Sequence, residues 1–113
     1  MTLIPSLFNW LNTNRIDQID SYRKDPCKVQ EKTFAGLISM ASSTEWGRKF
    51  DYQSIRSVRQ YQERVPIQSY DDITGYVERL RQGEKDLLWP GEIKWFAKSS
   101  GTTSSKSKFI PMS

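Results

Sequence analysis

The stretch from Phe96 to Ser113, Phe-Ala-Lys-Ser-Ser-Gly-Thr-Thr-Ser-Ser-Lys-Ser-Lys-Phe-Ile-Pro-Met-Ser, constrains the fold more than any other part of this chain. Lys94-Trp95-Phe96-Ala97 leads into a run of small hydroxyl residues with Gly101, Lys106 and Lys108, and Phe109-Ile110-Pro111-Met112 leads out of it. A Ser/Thr/Lys-rich segment on its own reads as a solvated tail. Aromatic and β-branched runs on both sides read instead as two short strands joined by a tight glycine-containing connection. The expectation is strand, loop, strand.

The chemistry between those strands suits a polyphosphate. Such a ligand needs backbone N–H groups that can approach it closely, which Gly101 permits, small hydroxyl donors, here Ser99, Ser100, Thr102 and Thr103, and a cation such as Lys108. The pattern is not a Walker A loop, which requires a second glycine beside the lysine and a helix afterwards, and Pro111 opposes a following helix. Nor is it a dinucleotide fingerprint, since one glycine stands alone and no βαβ unit surrounds it.

Ser99-Ser100-Gly101-Thr102-Thr103 followed by Lys108 resembles the phosphate loop of adenylate-forming enzymes. Within that superfamily the chain resembles the Gretchen Hagen (auxin-responsive) acyl-acid amido synthetase family. The likeness takes in Gln30-Glu31-Lys32, Thr44-Glu45-Trp46-Gly47, Val65-Pro66-Ile67, Ser69-Tyr70-Asp71-Asp72-Ile73 and Tyr76-Val77-Glu78-Arg79, in the family's order, and covers roughly residues 28 to 113. One departure stands out. Many relatives carry a glycine shortly before the loop lysine, whereas Ser104-Ser105-Lys106-Ser107 fills that space here and makes Lys106 a second cation.

The resemblance implies an ATP-dependent ligase that adenylates a carboxylic acid and passes the acyl group to an amine of the amino-acid class, with Mg2+ accompanying the nucleotide. Its phosphate-binding set would be Ser99, Ser100, Gly101, Thr102, Thr103 and Lys108, with Lys106 assisting, and no catalytic or metal-ligating residue is assigned within these residues. Family members run several-fold longer, so the expectation is an N-terminal part of an adenylation domain, inactive alone, whose partners include the rest of that domain and a C-terminal domain. Residues 1–26 would be a variable helical leader, 27–92 a helical region and 93–113 the strand, phosphate loop and strand. The fold class expected is α+β, mainly helical with a small β hairpin, as part of a larger α/β domain.

Charge and composition narrow the alternatives. Lys+Arg of 17 against Asp+Glu of 13 gives a net charge of +4, which raises nucleic acid or an anionic surface as partner. The basic residues are scattered among acids, as in Arg23-Lys24-Asp25 and Glu78-Arg79-Leu80-Arg81, with no basic block and no nucleic-acid motif, so no nucleic-acid partner is expected. Cys27 is the only cysteine, which excludes an internal disulfide and fits a reducing compartment. Without histidine, Ser-His and Cys-His catalysis and ordinary histidine metal sites drop out. The opening residues lack a signal-peptide pattern and no apolar run approaches about 20 residues, so a cytoplasmic protein without a membrane partner is expected. A second reading of the same features is a small basic helical interaction module, or degenerate remnant, whose serine-rich loop is a phosphosite beside Lys106 and Lys108.

Upstream, Pro5 or Ser6 can open a helix carrying Leu7, Phe8, Trp10, Leu11, Ile16 and Ile19, interrupted at Asn12-Thr13-Asn14 and ending near Tyr22. Asp25-Pro26 breaks the chain. Val29 to Met40 makes a second helix whose stripe of Val29, Phe34, Leu37, Ile38 and Ala41 reads as core. Trp46, Phe50 and Tyr52 would pin an irregular connection, and Arg56, Arg59 and Arg64 read as a solvated helical turn or two, not a phosphate clamp. Ser69 with Asp72 three residues on predicts a capped helix starting near Tyr70, with Ile73, Tyr76, Val77 and Leu80 inward and Gly83 as a left-handed stop.

Overall fold

Sequence periodicity and punctuation resolve into a mainly helical chain that ends in a two-stranded antiparallel hairpin. The structure, a computed structural model, describes residues 3–101 and 106–113, and the side chains of residues 6–101 and 106–113. It contains α1 (Leu3–Lys24), α2 (Pro26–Ala41), α3 (Glu45–Lys49), a 3-10 turn (Tyr52–Ser54), α4 (Val58–Arg64), α5 (Tyr70–Arg81), β1 (Trp95–Lys98) and β2 (Phe109–Met112). Two units are distinguishable, Met1–Phe34 and Ala35–Ser113.

In the first unit α1 runs unbroken through Asn12-Thr13-Asn14, where a helix interruption was expected. Thr13 accommodates the helix by donating its hydroxyl to the Asn9 carbonyl at 2.8 Å, the back-bonding that lets a short polar side chain sit inside a helix. The apolar residues from Leu7 to Tyr22 are 42% to 61% exposed. Asp25 then serves both helices. Its N–H donates to the Ser21 carbonyl at 3.1 Å, while its own carbonyl and carboxylate accept the N–H groups of Val29 at 3.2 Å and Lys28 at 3.1 Å. Pro26 follows as the first residue of α2, where its missing N–H costs nothing.

The second unit carries the core. Of the α2 stripe, Ile38 and Ala41 are buried whereas Leu37 is half exposed, so the apolar face is narrower than its sequence spacing suggests. Thr44, fully buried, caps α3: its hydroxyl accepts the Gly47 N–H at 3.0 Å and donates to the Ala41 carbonyl at 2.6 Å. Gly47 is obligatory there. A Cβ on it would lie 2.0 Å from the Ala41 carbonyl oxygen, a backbone atom that cannot swing aside. Trp46 meets Phe50 in a tilted contact at 4.7 Å and Tyr76 of α5 edge-on at 5.5 Å, so it anchors this connection against α5, while the segment expected to be irregular is ordered as α3 and the 3-10 turn, with Tyr52 packed edge-on against Tyr61 at 6.0 Å.

α5 starts as its sequence predicts, with the Asp72 carboxylate reaching back to the Ser69 N–H and hydroxyl at 2.7 Å each, and closes a capping box. It ends in a Schellman arrangement: the Glu84 N–H donates to the Arg79 carbonyl at 3.1 Å, the Gly83 N–H to the Leu80 carbonyl at 3.0 Å, and Gly83 sits at φ +92°. Val77 and Leu80 are fully buried. Leu87 and Ile93, from the segment that follows, close over Leu80, with Tyr76, Leu88 and Phe96 packed against the cluster. Burying a side chain such as Leu80 contributes about 1.5–3 kcal/mol. Phe96, on β1, carries this core into the hairpin, whose register pairs Trp95 with Met112, Phe96 with Pro111, Ala97 with Ile110 and Lys98 with Phe109.

Three consequences are measurable. Gly47→Ala should lower stability by about 3 kcal/mol or prevent folding, because the new methyl overlaps backbone; a melting midpoint within error of the parent would contradict the close approach. Ser69→Ala should cost about 1 kcal/mol through loss of the cap, read as a shift in the denaturant midpoint. Stability should also decline at both pH extremes. Hydrogen bonds from Arg79 hold the Glu45 carboxyl below its usual 4.5, and hydrogen bonds from Ser69 hold Asp72 below its usual 3.8. Both groups favour the folded state above those ordinary values and cease to do so as pH falls through the depressed ones. Burial pushes the Tyr52 phenol up from 10.0 to about 12, so its contribution is complete below pH 10 and is lost as pH rises through about 12. Denaturation midpoints that stay level across the acid range would rule out the carboxylate contribution.

Candidate functional site

A loop of serines and threonines has no apolar side chain with which to fix itself, so its geometry depends on where its two ends are held. Here both ends are strands. At the neck of the hairpin the Ser99 N–H donates to the Lys108 carbonyl at 2.9 Å, and the Lys108 N–H donates to the Ser99 hydroxyl at 2.9 Å. Ser99 therefore continues the ladder one step beyond the Lys98–Phe109 pair, using its side chain where a backbone carbonyl would ordinarily accept.

The residues expected to hold phosphate fall as follows. Ser99 is half-buried at the neck, Ser100 and Gly101 are exposed directly after it, and Lys106 and Lys108 are exposed on the returning side. Ser99 and Lys108 are brought together by the paired hydrogen bonds. Thr102 and Thr103 lie outside the described residues. The bond from the Lys108 N–H occupies an acceptor position on the Ser99 hydroxyl and leaves its proton uncommitted by that contact.

Three cations surround the neck. The Lys108 ammonium lies 5.5 Å from the centre of the Tyr70 ring, the Lys98 ammonium 5.9 Å from that of Phe109, and the Arg81 guanidinium 4.0 Å from Phe109. Such contacts hold the cationic stems over aromatic faces while keeping the charged heads at the surface. Arg81 is also paired with Glu78 at 2.8 Å, so its charge is partly matched. Exposed Ser100, Gly101 and Lys106 beside this surplus of positive charge can attract and hold an anion.

Two contributors escaped sequence reasoning. Tyr70 reads in sequence only as the first residue of a capped helix, yet its hydroxyl donates to the Phe109 carbonyl and accepts from the Phe109 N–H, both at 3.0 Å, across a separation of 39 residues. Arg81 reads as a basic residue suited to a helix C-terminus, and it lies over Phe109. No local pattern signals either contact. The arginines set aside in sequence bond within their own neighbourhood: Arg56 donates to the Ile55 carbonyl at 3.2 Å, Arg59 pairs with Glu63 at 3.0 Å, and Arg64 donates to the Asp51 carbonyl at 2.8 Å.

Among the described residues no group of three or more His, Cys, Asp or Glu side chains converges to hold a metal ion. No helix among them is long and apolar enough to cross a membrane. Cys27 is exposed and unpaired.

Comparison with known proteins shows what the chain as a whole is similar to. The profile of the GH3 family N-terminal domain matches residues 15–113. Among curated relatives, the indole-3-acetic acid-amido synthetase GH3.2 of Arabidopsis thaliana is 28% identical over 94 residues, 82% of this chain and 17% of that protein. The jasmonoyl–L-amino acid synthetase JAR6 of Nicotiana attenuata is 28% identical over 97 residues, 85% of this chain and 17% of that protein. A solved structure of the GH3.15 acyl acid amido synthetase superposes with a TM-score of 0.73 at 26% identity, covering 86% of this chain and 18% of that one. The chain thus spans less than a fifth of the length of the proteins it matches.

Proposed function

The chain belongs to the GH3 family, matching its N-terminal domain over residues 15–113, and from that premise we propose that it is the phosphate-loop-bearing N-terminal part of an acyl-acid amido synthetase acting in the cytoplasm. In this reading residues 1–26 are a leader, 27–92 the helical support and 93–113 the strand, phosphate loop and strand. The partners are a carboxylic acid, an amine of the amino-acid class, ATP, and the remainder of an adenylation domain with its C-terminal domain. The observation that carries the reading is the antiparallel hairpin whose neck joins Ser99 to Lys108. It turns the match in residue types into a loop with fixed ends.

The reaction sets the demand on that loop. A carboxylate oxygen of the acid attacks the α-phosphorus of ATP, the bond from that phosphorus to the bridging oxygen breaks, and pyrophosphate leaves with the electron pair. The amine then attacks the acyl carbon, AMP departs and the amine loses a proton. Negative charge grows on the β and γ phosphates in the first step, so donors already aimed at them lower the barrier. Ser99, Ser100, Thr102 and Thr103 are assigned as donors, Gly101 as the point of close backbone approach, and Lys108, helped by Lys106, as the neutralising cation. Magnesium would arrive with the nucleotide.

Two measurements test the reading. In a synthetase that contains this segment, the double change Thr102→Ala with Lys108→Ala should suppress acid-dependent exchange of labelled pyrophosphate into ATP by at least about a hundredfold, the scale of losing preorganised charge-stabilising groups; normal exchange would refute the assignment. Residues 1–113 alone should give no adenylate with any acid, and turnover by this chain in isolation would show that acid and base selection reside within it.

A further inference from the structure

The peptide group between Lys108 and Phe109 is gripped at both of its edges. Its carbonyl, from Lys108, accepts the Ser99 N–H at 2.9 Å. Its N–H, from Phe109, is donated to the Tyr70 hydroxyl at 3.0 Å, and that hydroxyl returns its own proton to the Phe109 carbonyl at 3.0 Å. Because a peptide group is planar and rigid, holding its oxygen from one side and its nitrogen from the other fixes the Cα atoms at both ends. One of those is the Cα of Lys108.

Phe109 needs such a partner. It stands opposite Lys98 in the register, and its two backbone groups bond to Tyr70, on the open edge of β2, where they would otherwise face solvent unpaired. Tyr70 is half-buried and is the first residue of α5, the best-packed helix of the second unit. The Arg81 guanidinium, from the last turn of the same helix, lies 4.0 Å from the Phe109 ring centre. α5 therefore grips Phe109 twice, at its backbone through the start of the helix and at its ring through the end.

We infer that Tyr70 is a positioning residue for anion binding at this loop: by clamping the Lys108–Phe109 peptide it sets the direction from which the Lys108 side chain meets the phosphates. The inference rests on the phosphate reading of the loop. Tyr70 touches no substrate in this scheme, and its ring, 5.5 Å from the Lys108 ammonium, serves as the wall along which that side chain lies.

The test uses the chain as it stands, with inorganic pyrophosphate as probe at low ionic strength, followed through the amide resonances of Gly101 and Lys108. Tyr70→Phe keeps the ring and removes both hydrogen bonds. It should weaken pyrophosphate binding about tenfold and accelerate hydrogen exchange at the Phe109 amide. Ser57→Ala, which removes the hydroxyl that accepts the Gln60 N–H at the start of α4, serves as a destabilised control away from the hairpin and should bind as the parent does. If Tyr70→Phe loses its native melting transition, Arg81→Lys, which keeps the positive charge and gives up the planar stack on Phe109, takes its place, with an expected loss of about threefold. Saturable binding by the parent with equal affinity in the Tyr70→Phe chain would overturn the positioning role alone. Equal weakening in the Ser57→Ala control would assign the effect to general stability and overturn it as well. No saturable binding by the parent would overturn the phosphate reading together with the inference built on it.

Discussion

Arg79 is the residue on which the second unit turns. It reaches Glu45 with two hydrogen bonds of 2.8 and 2.7 Å and Glu84 with a further set, the shortest at 2.8 Å, joining the start of α3, the body of α5 and the segment after it. A planar guanidinium with five donors can satisfy two carboxylates at once, which a lysine cannot do with fixed geometry. The effect is amplified by its surroundings. The Glu45 N–H donates to the Asp86 carbonyl at 2.8 Å and the Trp46 N–H to the Leu87 carbonyl at 2.9 Å, so the backbone is tied where the side chains are. Leu87 is thereby held in one cluster with Leu80 and Ile93, and Phe96 packs against that cluster at the root of the hairpin. Position passes from one ion-pair hub to the loop through contiguous apolar contact.

The parts of this arrangement that were legible in sequence share one property: the information is local. Ser69 and Asp72 stand three apart and cap α5 as read. Gly83 follows the last basic turn and stops it with a positive φ. The apolar flanks of the serine-rich run became β1 and β2. The expectation of a mainly helical chain with a small hairpin therefore holds, because each element is specified by residues within itself or one turn away.

What escaped sequence reading depends on distant partners or on competition between equal local signals. Asn12-Thr13-Asn14 looked like a break because such residues offer the backbone alternative hydrogen bonds, yet Thr13 spends its hydroxyl on the carbonyl four residues back and the helix continues. The stripe on α2 looked uniformly inward, but periodicity shows only that a face is apolar, not how much of it is covered, and Leu37 remains half exposed. Arg79 and Glu45 lie 34 residues apart, Tyr70 and Phe109 lie 39 apart, and nothing in either neighbourhood marks the pairing. At the neck of the candidate loop, the contacts that hold Phe109, from Tyr70 and Arg81, come from far along the chain and leave no local mark.

That division has a physical reason. Groups that must meet a multiply charged ligand have to be small, polar and exposed, so they cannot contribute burial energy to their own placement. Order must then be imported from side chains that do not meet the ligand, and those are free to come from anywhere in the fold. In this chain the import runs through two routes that converge on one strand pair: Phe96 ties β1 to the Leu80 cluster, and Tyr70 ties β2 to the start of α5. Both routes end on the same helix, α5, so the two strands are referred to a single rigid element, and the neck between Ser99 and Lys108 inherits its position from that shared origin.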